Sequence, residues 1–208
     1  EGSVEIEKAK LDLGSYGHAG QYQQRPAPLE GGIIKRYWWR FWHYPNQHLP
    51  PVSVRMEDGS LFECNQIPLP ARFDQTCQSW DMAFKDTKDS AFVVGQVWGR
   101  KQAKKFLLDQ DRRKRTFSES VQGVRNLSSK WPNVLAKLVE DKANGPAIID
   151  ALKAELDGLI AIEPQGDKSA RTMAVSPTIE AGDVYLPHPM VHPWVDDFLQ
   201  EWTSFPNS

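Results

Sequence analysis

The chain has 208 residues, with 25 basic and 27 acidic side chains, so its formal net charge is −2. This length predicts one substantial domain, or one domain with an extension. Hydrophobic residues make up 40% and charged residues 25%, which is typical of a globular protein and excludes an intrinsically disordered chain. We expect no membrane partner, because no segment approaches the roughly 18 uninterrupted apolar residues that a span requires.

The near-neutral total hides a polarised charge distribution. Residues 100–115 contain eight basic and two acidic side chains, a net of +6, whereas residues 177–208 contain five acidic side chains and no Lys or Arg. Local potential steers a polyanion more than net charge does, so the basic segment remains compatible with nucleic-acid binding. A solvated strand edge is the alternative interpretation.

The predicted elements run from an irregular start to an α/β core. Residues 1–32 are rich in Gln, Pro and Gly, a composition that predicts a linker. The aromatic cluster at residues 35–45 (KRYWWRFWHYP) indicates a core strand or an interface to a neighbouring domain rather than a base-stacking surface. Residues 57–60 predict a hairpin turn. Three strands of an antiparallel meander are predicted at 73–84, 90–99 (a buried strand) and 103–115, followed by a helix at 117–131 and a strand at 134–141. A strand-to-helix junction follows at 141–156, with Pro146 in the first helical turn and Leu152 and Leu156 at helical spacing. A strand at 158–164, a helix that begins with Asp167 as its cap and runs to Gly182, and a last helix at 192–205 complete the pattern. The strand–helix–strand order implies a parallel pair, so the fold class is a mixed α/β sheet flanked by helices.

Acidic residues at strand ends are the main candidates for chemistry. Asp81 interrupts an otherwise apolar strand, and Glu140 with Asp141 ends another. Carboxylates at adjacent strand ends suit one or two Mg²⁺ or Mn²⁺ ions, which assist phosphodiester hydrolysis. The alternative is that these acids only cap turns or the following helix.

Other catalytic motifs are absent or weak. The chain has no P-loop, and its two cysteines, Cys64 and Cys77, are too few for a disulfide framework or a cysteine zinc site. His188 and His192 are four residues apart, but Pro189 and Pro193 exclude the helix that a paired-histidine zinc site needs.

Five stretches, in order along nearly the whole chain, resemble the C-terminal nuclease domain of the large terminase subunit of tailed bacteriophages. They are GSYGHAGQYQQRPAPLEGGIIK, SWDMAFKDTKDSAFVVGQVW, LVEDKANGPAIIDAL, PQGDKSARTMAVSPTIEAGDVYLP and VDDFLQEWTSFPN. The fourth is the most specific. The resemblance implies a ribonuclease H-like fold and an endonuclease that needs Mg²⁺ or Mn²⁺, with two ions when the site is complete. Its expected role is to cut concatemeric double-stranded DNA when genome packaging starts and ends.

The resemblance also implies particular site residues. Asp81 matches the first catalytic and metal-binding acid, and Glu140 or Asp141 matches the second, with Glu140 favoured by its distance from Gly145. The pleat of a strand puts these two neighbours on opposite faces, so we expect only one principal ligand. A third acidic element follows the Phe-Pro-Asn run in the family, which places it beyond Ser208, and Asp196 and Asp197 lie too early to replace it. DNA-binding residues are expected at Lys104, Lys105, Arg112, Arg113, Arg115, Lys168 and Arg171.

The expected setting follows from the same resemblance. Residues 1–32 would lead from an ATPase domain in the same full-length chain, and residues 33–208 would form a nuclease domain truncated before its last acidic motif. Partners would be double-stranded DNA, a small terminase subunit and a portal protein. The location would be the cytoplasm of the infected bacterium and, transiently, the procapsid, but not the mature virion. The alternatives are a catalytically incomplete DNA-docking module and a resolvase-type nuclease of the same fold.

Overall fold

The computed structural model describes residues 32–82, 92–141 and 145–206, which divide between two compact units. One unit draws on Glu1–Leu69 and Gly166–Ser208, and the other is Pro70–Gln165. The strands are β1 (Arg40–His43), β2 (Ser53–Arg55), β3 (Leu61–Glu63), β4 (Gln66–Pro68), β5 (Gln75–Asp81), β6 (Phe92–Lys101), β7 (Lys104–Lys114), β8 (Ala136–Glu140), β9 (Leu159–Ile162) and β10 (Val184–Pro187). The α-helices are α1 (Phe117–Lys130), α2 (Gly145–Leu152), α3 (Lys168–Glu180) and α4 (Val195–Ser204), and a 3-10 turn covers Arg36–Trp38.

The first unit is built on parallel strands and an aromatic core. Strand β1 pairs in parallel with β4 and with β10, while β2 and β3 form the hairpin that residues 57–60 predict. Trp39 and Trp42 are each 1% exposed. The centre of the Trp39 ring lies 5.7 Å from that of Phe198 and 5.9 Å from that of Trp202, both on α4, in edge-to-face contacts. The core-strand interpretation of the aromatic cluster is therefore confirmed. The linker is predicted at residues 1–32, and residues 1–31 of it lie outside the described residues.

The second unit contains the predicted meander and parallel pair. Its strands are hydrogen-bonded in the order β7-β6-β5-β8-β9. Strand β6 is antiparallel to both β5 and β7, and β8 is parallel to both β5 and β9. Helices α1 and α2 contact β6 and β8 respectively. The predicted mixed sheet with flanking helices is confirmed.

Two details of the prediction are wrong for physical reasons. Residues 90–99 are predicted to form a buried strand, but in β6 buried residues alternate with more exposed ones, because successive side chains of a strand point to opposite faces. The helix that is predicted to continue as far as Leu156 ends at Leu152, where the Glu155 N–H donates to the Leu152 carbonyl and closes a turn. Within the described residues, no helix combines the length and the apolar character needed to cross a bilayer.

Trp80 fixes β5 against β6 immediately before Asp81. Trp80 pairs with Gly95, and a side chain at Gly95 would overlap the indole ring. The indole Nε1 donates to Gln78 Oε1 at 3.1 Å, and Ser128 of α1 approaches the same oxygen at 3.4 Å. The glycine thus makes room for a buried ring that is held in place by a hydrogen bond.

We expect Gly95→Ala to lower the free energy of unfolding by about 1–3 kcal/mol, because the added methyl group forces the ring out of a packed position. Urea denaturation measures the change. Ser79→Ala, on the exposed face of β5, is the control and should change stability by less than about 0.5 kcal/mol. Equal stability of the Gly95 variant and the parent chain would contradict this packing.

Candidate active site

The parallel pairing of β5 and β8 brings two of the three candidate acids together. Trp80 pairs with Val139, and the next residues along the two strands are Asp81 and Glu140. Neighbouring strands lie about 4.8 Å apart, and paired residues point to the same face. Asp81 and Glu140 are therefore neighbours at the carboxyl ends of adjacent strands, where the chain leaves the sheet.

The register assigns these acids to a face of the sheet. We call the side that carries Asp81, Val94 and Arg112 the outer face, since Asp81 pairs with Val94 and Val94 with Arg112. The opposite side carries the buried residues Trp80 and Val93, and α1 lies against it, since Ser128 of α1 approaches Gln78. Asp81 is exposed on the outer face.

Glu140 also belongs to the outer face, and Asp141 does not. Leu138 pairs with Ser79, which lies two residues before Asp81, and Glu140 lies two residues after Leu138. The pairing of β8 with β9 extends past Glu140 to Asp141, because the Asp141 N–H donates to the Ile162 carbonyl at 2.8 Å. The strand pleat therefore directs Asp141 away from Asp81.

The donor chemistry of the Asp81–Glu140 pair fits a hard divalent cation. Carboxylate oxygens are the ligands that Mg²⁺, Mn²⁺ and Ca²⁺ prefer. Within the described ranges, neither carboxylate forms a salt bridge or a side-chain hydrogen bond, so both remain available as donors. In the same part of the chain, no group of three acidic, histidine or cysteine side chains is placed to hold a metal ion.

Gly145, the first residue of α2, packs directly against the end of β8. A side chain at Gly145 would run into the carbonyl oxygen of Glu140, well inside van der Waals contact. Only glycine permits so close an approach between the helix start and the strand end. Gly145 thus helps to fix the backbone that carries Glu140.

The predicted DNA-binding residues occupy several different environments. Five of them lie on or directly after β7 (Lys104, Lys105, Arg112, Arg113, Arg115), and two lie in the first turn of α3, in the other unit (Lys168, Arg171). The Arg115 side chain is only 9% exposed, and its guanidinium donates to both oxygens of Asp111, at 2.8 and 2.6 Å. Arg115 is therefore held in an ion pair within the protein, and little of its side chain is exposed to a ligand.

The two histidines do not form a metal site. His188 is buried, its Nδ1 accepts a hydrogen bond from the Met190 N–H at 3.1 Å, and its Nε2 lies 3.0 Å from the Pro50 carbonyl oxygen. The His192 ring is 5.7 Å from Trp194 and 6.1 Å from Trp42. Both nitrogens of His188 are thus used within the fold.

A groove opens at the other end of the outer face. Its volume is about 790 Å³, and its lining includes Cys77, Trp98, Arg100, Lys105 and Leu138. Burial raises the pKa of the Cys77 thiol, which therefore stays protonated near neutral pH. The acids at the carboxyl ends of β5 and β8 do not line this groove.

Comparison with protein families gives one match. The sequence profile of a family described as "Terminase RNaseH-like domain" matches residues 78–208, a span that includes Asp81, Glu140 and Asp141. None of the curated proteins compared with the chain matches it.

Several solved structures are similar to the chain. The large terminase nuclease of thermophilic phage G20c with bound magnesium is 16% identical, with a TM-score of 0.49, and the match covers 77% of this chain and 76% of that one. The g2p large terminase nuclease domain of bacteriophage SPP1 with bound Mn is also 16% identical, with a TM-score of 0.45, covering 62% and 70%. The large terminase of another thermophilic bacteriophage is 12% identical, with a TM-score of 0.45, and the match spans 57% of this chain but only 30% of that one.

Proposed function

The chain belongs to the terminase RNaseH-like domain family, and from that premise we propose that it is the metal-dependent endonuclease domain of a viral DNA-packaging terminase. Its substrate would be concatemeric double-stranded DNA, cut when packaging begins and when it ends. The observation that carries this proposal is the pair of carboxylates, Asp81 and Glu140, on one face at the ends of adjacent parallel strands.

Asp81 and Glu140 would hold the cation. When bound there, one or two Mg²⁺ or Mn²⁺ ions would supply Lewis-acid stabilisation of the phosphate charge and activate a water for attack. The two side chains stand on strands anchored by buried neighbours, Trp80 and Val139, which are 1% and 0% exposed. Such anchoring keeps the carboxylates in place before the substrate arrives, so little reorganisation is needed.

The proposed partners follow from the same assignment. They are double-stranded DNA, an ATPase domain in the same full-length chain, a small terminase subunit and a portal protein. The proposed location is the cytoplasm of an infected bacterium and, transiently, the procapsid. Residues 33–208 would form the nuclease domain, with residues 1–32 leading to it from the ATPase domain.

The test is a nicking assay with the 208-residue chain on supercoiled plasmid in Mn²⁺. We expect open-circular and then linear product, complete suppression by excess EDTA, and similar rates on linear duplex and on a four-way junction. Absence of cleavage in Mn²⁺ and in Mg²⁺, both by this chain and by one that also carries the third acidic element implied by the family resemblance, would contradict the proposal. A strong preference for the junction would favour a resolvase-type nuclease instead.

A second candidate function is a DNA-docking module without catalytic activity. It is favoured by the finding that the described residues bring together two acids and not three. Isothermal titration with Mn²⁺ separates the candidates, because a docking module would bind DNA without binding the ion at Asp81. The nuclease should show ion binding that Asp81→Asn removes.

A further inference from the structure

The register of β6 and β7 sorts the basic segment between the two faces of the sheet. Phe92 pairs with Lys114, Val94 with Arg112, and Arg100 with Lys105. These three β6 positions are an even number of residues apart, so their side chains share one face. That face is the outer face, because Val94 also pairs with Asp81.

A bulge in β7 is what brings the two ends of the segment to the same side. Lys105 and Arg112 are seven residues apart, and in a regular strand an odd separation puts side chains on opposite faces. The register shifts between Val97, which pairs with Asp109, and Trp98, which pairs with Leu107. The extra residue, Leu108, resets the alternation, as a β-bulge does.

The cations on the opposite side already have acidic partners or lie beside them. Lys101 pairs across the strands with Lys104, and the Lys101 ammonium contacts Asp74 at 3.1 Å. Arg113 pairs with Val93 and contacts Asp111 at 3.3 Å. Part of the charge on that side is therefore neutralised within the protein.

The cations on the outer face are arranged differently. Arg100, Lys105 and Lys114 form no salt bridge with any residue that the structure describes. Arg100 stands directly opposite Lys105, a like-charged pair that is unfavourable unless an anion lies between them. The guanidinium carbon of Arg112 is 3.6 Å from the centre of the Phe92 ring, and Lys114 Nζ is 5.7 Å from it, so the ring orients both charges by cation–π attraction.

We propose that these four exposed side chains form a phosphate-binding track for double-stranded DNA on the face that carries Asp81 and Glu140. We call Arg100, Lys105, Arg112 and Lys114 the outer-face track. Arg100 stands opposite Lys105, and Val94, six residues away on β6, stands opposite Arg112. The Arg100–Lys105 pair therefore lies about 20 Å along the sheet from Arg112. That distance corresponds to about six base pairs at 3.4 Å each. The track thus predicts backbone contacts along roughly half a turn of duplex on one side of the cleaved bond. It keeps Lys105 and Arg112 from the DNA-binding residues predicted from sequence and adds Arg100 and Lys114.

This inference rests on the proposed function, which identifies the ligand as DNA. It is tested by comparing two double variants that remove equal charge from neighbouring residues. The track variant is Lys105→Ala with Arg112→Ala, and the control variant is Lys104→Ala with Arg113→Ala. Lys104 is next to Lys105 on β7, and Arg112 is next to Arg113, so both double variants remove two positive charges from nearly the same places along the strand. The track variant removes them from the outer face, and the control variant removes them from the opposite face. Binding of a 30-base-pair duplex is measured by fluorescence anisotropy at several salt concentrations in EDTA, so that no cleavage occurs.

The expected difference is in the salt dependence. Each lost phosphate contact lowers the slope of log affinity against log salt by about 0.9, so the track variant should lose about 1.8. The control variant should lose clearly less, because it alters only the long-range potential. Equal losses in the two variants, or a larger loss in the control, would overturn the track, as would a slope near zero in the parent chain.

Two further readouts separate the possible failures. If the slopes differ as expected but plasmid is never nicked in Mn²⁺, even by a chain that also carries the third acidic element, the track stands and the proposed nuclease function fails. Thermal unfolding must show equal midpoints for all proteins. Should an alanine variant unfold, Lys105→Gln with Arg112→Gln and Lys104→Gln with Arg113→Gln replace the pairs with side chains of similar size.

Discussion

Asp81→Asn should abolish nicking of supercoiled plasmid in Mn²⁺, with a loss of at least about a thousandfold. The reason is that the change removes a full negative charge from one of two adjacent carboxylates while keeping the shape of the side chain. Metal-ion stabilisation of a phosphodiester transition state is worth several kcal/mol, and each 1.36 kcal/mol is a factor of about ten in rate. Gel quantification of open-circular product over time gives the rate.

Ser79→Ala is the matched control for this experiment. Ser79 lies two residues before Asp81, on the same strand and the same face, and is exposed. It should retain nearly the parent rate, and circular dichroism should show that both variants fold. Cleavage by the Asp81 variant at the parent rate would remove the proposed site.

Glu140→Gln and Asp141→Asn should differ sharply although the two residues are adjacent. Glu140 lies on the outer face beside Asp81, whereas the pleat directs Asp141 to the other side. We expect a loss of at least about a hundredfold for Glu140→Gln, since a lost ligand to a catalytic cation costs several kcal/mol, and less than about threefold for Asp141→Asn. The same plasmid assay measures both.

The reverse order of these losses would show that Asp141 is the second ligand. In that case the strand would have to end or twist before Glu140, contrary to the hydrogen bond between the Asp141 N–H and the Ile162 carbonyl. Equal and small losses would instead show that neither acid takes part in cleavage. Measuring Mn²⁺ affinity for both variants distinguishes a lost ligand from a lost catalytic step.

Much of the second unit could be predicted because local signals agree with the final fold. Short apolar runs bounded by polar residues indicate β5, β6 and β7, and a cluster of Gly and Pro marks the start of α2. The Asp167 side chain accepts a hydrogen bond from the Ala170 N–H at 2.7 Å, which confirms the cap predicted for α3. Each of these features depends on residues close together in the sequence.

The arrangement of the charges could not be predicted, because it depends on pairing between strands. Nothing in the run AKKFLLDQDRRKR reveals the bulge at Leu108, and without the bulge Lys105 and Arg112 would face opposite ways. Likewise, Arg115 looks like any other cation of the segment, and only the fold shows that its guanidinium packs against Gly123 and bonds to Asp111. Charge counting finds a basic segment but does not find its exposed face.

The arrangement of the candidate acids could be predicted only in part. Sequence position alone puts Asp81 and Glu140 at strand ends, and the pleat separates Glu140 from Asp141. Their adjacency needs the parallel register in which Ser79 pairs with Leu138 and Trp80 with Val139. A slip of one residue would turn Asp141 toward Asp81 and Glu140 away from it, because every side chain changes face.

The most direct test of the site is a crystal structure of the chain soaked in Mn²⁺, with data collected at the manganese absorption edge. We predict an anomalous peak with oxygen atoms of both Asp81 and Glu140 within about 2.0–2.6 Å of the ion, and with Asp141 outside that range. A peak held by Asp141 instead of Glu140, or manganese bound only elsewhere on the chain, would contradict the site described here.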